Sequence, residues 1–233
     1  AIGLILLIVI LLLAYVGFSL NFFSKEAKQQ ITADQQMQNL QSYIESCELS
    51  LAQEAFIKIG NQGGKIITQN YFAIGKNKIE IAYDGEQKLS TLEDIAKDIE
   101  KYFQMNLARF CKPEKAIEKP VESSTRIQAK INFNDKETIM EITWPVTVTF
   151  ENNTKKIIDK TTINIPIRMK TIHEAITQDL KDPYTTNLNF VDSLDNMDIK
   201  AILYPDDILN FIIDHKSQIN NRPYKFFYVE KVK

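Results

Sequence analysis

Cys47 and Cys111 are the only two cysteines in the chain. Each sits on or beside the apolar face of a helical pattern, so two packed helices would bring the sulfurs within bonding range. A sole cysteine pair in an exported protein usually bridges, and in the chain-entropy view such a bond contributes roughly 4 kcal/mol. The other assignment is two buried free thiols. His173 and His215 have no neighbouring ligand at metal spacing. Asp206-Asp207 with Asp214 offers the oxygens of a cation site, but an Asp-rich turn after Pro205 needs no ion. Gly60-x-x-Gly63-Gly64 follows a helical pattern and lacks the lysine and Ser/Thr of a phosphate loop, so it reads as a helix-ending turn. GxSxG, HExxH, CxxC and paired-carboxylate signatures do not occur. The residues therefore assign no catalytic group, no cofactor and no metal, and the chain does not read as an enzyme. Asn152-Asn153-Thr154 is a sequon on an expected turn, which makes Asn152 a candidate acceptor for N-glycosylation.

Charge narrows the partners. With 28 basic and 30 acidic side chains the formal net charge is −2, which excludes a strongly basic nucleic-acid binder. Hydrophobic residues make up 44% of the chain and charged ones 25%, enough to bury a core and too apolar for disorder. All glycines fall at or before Gly85 and all prolines at or after Pro113, so the first part of the chain holds no helix-breaking proline.

The elements that would position these residues begin with an uncharged stretch from Ala1 to Ser24, aliphatic almost throughout from Ile2 to Leu20. A helix of that length reaches roughly 36 Å against a hydrocarbon thickness of about 30 Å. A secretory signal would begin with basic residues, carry a shorter apolar run and end in a small-residue cleavage site. This stretch has none of these, so Ala1 is expected to be either a processed terminus or a boundary within a longer chain. Ala14, Gly17 and Ser19 are small enough for close helix approach, without a GxxxG pair. Beyond Ser24 the pattern turns amphipathic, with Met37, Leu40, Ile44, Cys47, Leu51, Ala55 and Ile59 at spacings of three and four. Gln35, Gln38, Gln41, Glu45 and Glu48 form the expected solvated face.

This layout, with Ala1 at the start, the aliphatic run to Leu20 and then Lys25, Lys28, Gln29 and Gln30, resembles the type IV pilins and archaeal pilin-like filament subunits. Their class III signal peptides are cut so that the hydrophobic helix is kept. The resemblance implies that Ile2, Leu4, Ile5, Leu7, Ile8, Leu11, Leu12, Tyr15 and Phe18 line a filament core. Ile5 stands where bacterial members carry a glutamate that pairs with a neighbour's N-terminal amine; archaeal members often lack that acid. The run from Cys47 through Gly60-Asn61-Gln62-Gly63-Gly64, with the later cysteine and a terminal Tyr224-Lys225-Phe226-Phe227 strand, is also similar to single-span surface proteins of small-genome, nanoarchaeal-type archaea.

Residues 63–233 read as an extracellular head. A hairpin is expected over Ile66–Tyr83, turning at Gly75-Lys76-Asn77, then a helix from a cap at Ser90 or Thr91 to Phe110, and a surface loop over 112–124. Alternation over 127–133, 140–150 and 163–169 predicts an antiparallel meander, with Pro145 and Pro166 marking an edge or bulge. Helices over Thr171–Leu180 and Leu188–Leu194 and strands over Ile199–Tyr204, Ile208–Ile213 and Tyr224–Val232 complete the reading. The expected fold class is α+β: a long hydrophobic N-terminal helix (1–24) and its amphipathic continuation (25–62) leading into an antiparallel head. The expected function is a structural filament subunit, a homopolymer through its N-terminal helices. Its partners would be the membrane before assembly, a pilus assembly machinery, and a host or neighbouring cell surface. The competing expectation is a single-pass anchored extracytoplasmic binding module.

Overall fold

The computed structural model describes residues 2–181 and 196–232, with side chains from residue 32 onward except that of Asn152. The side chains of the candidate core positions from Ile2 to Phe18, that of Asn152, and the expected helix over Leu188–Leu194 lie outside this description.

Helix α1 has its backbone over Ile2–Asn61. From residue 32 on it is two-faced: Leu40, Ile44, Leu51, Ala52, Ala55, Phe56 and Ile59 are buried, while most of the residues between them are polar and exposed or half-buried. That pattern suits a helix packed on protein along one side. Among the residues whose side chains are described, no helix is long and apolar enough to cross a membrane. The expected fold class is corrected accordingly. In place of a hydrophobic helix leading into an antiparallel head, an amphipathic helix at 32–61 serves a β-rich domain with two further helices, and one of the two sheets is mixed.

The end of α1 follows from its glycines. Gly63 and Gly64 take φ of 71° and 90°, and Gly64 N–H donates back to the Ile59 carbonyl at 2.9 Å, so the chain reverses with its last carbonyls satisfied. Gly60, expected to stop the helix, lies inside it. A Cβ there would sit 2.3 Å from the Lys225 carbonyl oxygen, so this glycine lets a strand cross against the helix backbone.

Helix α2 (Leu92–Phe110) starts at a capping box in which Thr91 and Asp94 satisfy each other's backbone, with Glu93 and Asp94 at the positive end of the helix dipole. Ile95, Ile99, Tyr102, Phe103 and Leu107 form its buried stripe. Helix α3 (Met169–Asp179) is the third.

One sheet contains β3 (Val121–Ser123), β4 (Gln128–Phe133), β5 (Thr138–Thr149) and β6 (Lys155–Ile165), all antiparallel. β5 takes β6 on one side; on the other, β4 pairs with its first half and β3 with its second. Pro145 lies at this handover, where the β5–β6 register also shifts between Thr143 and Val146, because proline cannot donate to a ladder. Pro166 follows the end of β6. The expected surface loop at 112–124 thus holds a 3-10 turn, Pro113–Lys115, and strand β3.

The other sheet has the order β1-β2-β9-β8-β7, built from β1 (Tyr71–Ile74), β2 (Asn77–Tyr83), β7 (Met197–Leu203), β8 (Asp207–Ile219) and β9 (Arg222–Lys231). β9 pairs parallel with β2, which stitches the C-terminal strands to the first hairpin. β8 runs past its expected end at Ile213 to Ile219, and Asn220 and Asn221 turn into β9 with φ of 52° and 60°. β1 is shorter than expected because the N–H groups of Ile66, Gln69 and Asn70 are taken by the side chains of Asp98 and Glu80. One core cluster joins α1, α2, α3 and both sheets. A smaller one, Ile79, Ile81, Leu209 and Val229, lies on the opposite face of the five-stranded sheet.

Candidate functional site

The polar and covalent features concentrate where α1 enters the head. α1 and α2 run antiparallel, tied at three levels. Lys112 N–H donates to the Tyr43 hydroxyl at 3.3 Å. One turn further, Cys47 and Cys111 form a disulfide with Cα atoms 5.8 Å apart, closing a separation of 64 residues. Higher still, Tyr102 donates to Glu54 at 2.7 Å and accepts from Lys58 Nζ at 2.9 Å, with the ammonium also 4.4 Å from the ring centre. The Tyr102 hydroxyl holds the Glu54 carboxyl below its ordinary range and Lys58 above its own.

Beside the disulfide lies Glu48, which the sequence places on the solvated face. The structure buries it completely between α1 and β6. Thr161 Oγ1 donates to its Oε2 at 2.6 Å, while Oε1 is buried without a hydrogen-bond partner. Burial pushes its pKa up to about 7; the Thr161 hydroxyl opposes this and Glu45 adds to it. A signal existed: Leu40, Ile44, Ala52 and Phe56 surround position 48 at intervals of four, the row that meets a neighbour in a packed helix.

The remaining sequence candidates separate. His173 Nε2 bonds the Ser90 carbonyl at 2.8 Å, tying α3 to the start of α2. His215 meets Asp198 at 3.1 Å in the open. Asp207 and Asp214 lie an odd number of residues apart on β8 and so point to opposite sheet faces. Asp214 is instead the buried partner of Arg168, which donates to it from Nε at 3.1 Å and Nη2 at 2.6 Å. Ser217 donates to the same carboxylate and accepts from Arg168 N–H at 2.8 Å, a network that sequence reading missed because its members lie on different elements. Among the described residues no group of three or more His, Cys, Asp or Glu could hold a metal ion.

Two further polar features stand out. Tyr228 donates to Asp179 at 2.5 Å, and burial raises the pKa of both groups. A groove of about 270 Å3 runs between α2 and the 65–69 segment, where Asp98 and Glu80 pin the backbone and Ile67 and Met105 stay exposed. No protein-family model matches the chain, and no curated protein and no solved structure matches it. What the geometry offers is mechanical: a helix locked to a head by covalent, ionic and apolar contacts on one side.

Proposed function

We propose that this chain is a structural subunit of an extracellular type IV pilus-like filament, in which residues 1–24 pack against those of other copies and the head faces outward for surface attachment. Before assembly the same uncharged stretch holds the subunit at the membrane, and an assembly machinery of the pilus kind polymerises it. The observation that carries this reading is the Cys47–Cys111 disulfide, placed where α1 joins the head. A filament transmits shear from its core to its surface through that junction, and a covalent tie there keeps α1 from peeling off. Such bonds persist in oxidising, extracytoplasmic surroundings. The uncharged stretch from Ala1 to Ser24 supplies apolar surface that is buried when copies leave lipid for a fibre in water.

Negative-stain microscopy of sheared surface material tests it. Fibres are expected from the wild-type chain, and Leu7→Asp should abolish them while the head keeps its fold and its disulfide. Wild-type chains that remain dispersed single molecules at the membrane would overturn the filament in favour of an anchored binding module.

A further inference from the structure

Among the described residues, the outer side of β7 carries unpaired backbone and an ordered pair of opposite charges. Tyr204 N–H donates to the Asp207 carbonyl at 2.8 Å, and His215 N–H donates to the Asn196 carbonyl at 3.1 Å. The register between these ends has no shift. Even-numbered residues of β7 therefore bond β8, and the N–H and C=O groups of Met197, Ile199, Ala201 and Leu203 point away from it. β7 ends the strand order, so among the described residues no strand takes these groups. Such an edge is a template for another strand. It is not blunted by polarity at its end, where Ile202 is 46% and Leu203 78% exposed.

The charges on β7 choose among ways of filling that edge. Residues directly opposite in an antiparallel pair share a face, and like charges there repel. If two copies of β7 paired in full overlap, Met197 opposite the partner's Leu203, then Lys200 would face the partner's Lys200. Sliding by two residues keeps every side chain on its face. Ile199 then meets the partner's Ile199, and Asp198 meets the partner's Lys200 twice, by symmetry. Lys200 has no ion-pair partner among the described residues, and Asp198 is half-exposed beside His215. The opposite edge, β1, reads Tyr-Phe-Ala-Ile and has no charge with which to select a register.

We propose that two heads associate by antiparallel pairing of β7 with β7 about a two-fold axis at Ile199, with reciprocal Asp198–Lys200 pairs, merging two five-stranded sheets into one. This contact uses the head alone and does not rest on the filament reading.

Cysteine trapping in the full chain, solubilised in detergent, tests the register. Asp198→Cys chains mixed with Lys200→Cys chains should form a mixed disulfide-linked pair on mild oxidation, and Lys200→Cys chains alone should not. By light scattering, Lys200→Asp or Asp198→Lys should each weaken association about tenfold, and the double exchange should restore it. The mixed cross-link should also form in Leu7→Asp chains. Absence of the mixed cross-link, dominance of the Lys200→Cys homodimer, or equal association of all the charge variants would overturn the pairing. So would a cross-link that disappears with Leu7→Asp, since the contact would then depend on the N-terminal stretch rather than on the head.

Discussion

Glu48 makes the molecule sensitive to pH in a direction that can be worked out. Its pKa is about 7 in the folded protein against an ordinary 4.5, so between those values the native state holds a proton that the unfolded chain has released. Stability is therefore highest below about pH 4.5 with respect to this group, falls as pH rises, and levels off above about pH 7, a change of about 3 kcal/mol. Urea midpoints should drop from pH 5 to pH 8 in the wild-type chain, and Glu48→Gln should flatten that slope. The Arg168–Asp214 pair gives a second expectation. Arg168→Met leaves a buried carboxylate whose remaining partners among the described residues are Ser217 and backbone N–H, and it should cost about 3–5 kcal/mol in urea unfolding. Adding Asp214→Leu should return much of it, because the uncompensated charge is gone.

At the scale of elements, the α1–α2 junction depends on side chains far apart in sequence meeting at matched heights. Reducing the Cys47–Cys111 bond, or replacing both residues by serine, should lower stability by about 4 kcal/mol, and a thiol assay should find no free sulfhydryl before reductant is added. Gly60→Ala should destabilise sharply, since its Cβ would strike the Lys225 backbone and not a side chain that can swing away; thermal unfolding measures this. The elements themselves were legible where local chemistry specifies them. A cap at Ser90 or Thr91 announces α2, where the structure uses Thr91, the alternation around Trp144 announces β5, and Gly63-Gly64 announces a reversal. Glu48 and Gly60 were misplaced because an ionisable side chain and a glycine have strong local readings, polar face and helix stop. Packing against β6 and β9 overrides both.

Across the whole molecule, what the sequence could not reveal is the pairing of β9 with β2. Both strands alternate plausibly, and neither carries a mark of which neighbour it will take, or that the contact will be parallel. The Arg168–Asp214 network is hidden for the same reason, its members being brought together by a bulge in β8 between Asp214 and Gln218. The two-sheet arrangement with one shared core was beyond local pattern, although the buried residues themselves largely coincide with the apolar periodicities.

The position of β9 also sets a schedule for synthesis. β9 occupies the middle of its sheet, between β2 and β8, yet the ribosome reaches it only after residue 221. Until then the first hairpin has no parallel mate, β8 lacks one flank, and Tyr224 cannot reach the Phe56 carbonyl to which it donates at 2.9 Å. The five-stranded sheet can therefore close only in a late step, after the residues of the other sheet and of the α1–α2 pair have already been made. Chains stopped at residue 221 should be digested by protease more rapidly than the full chain.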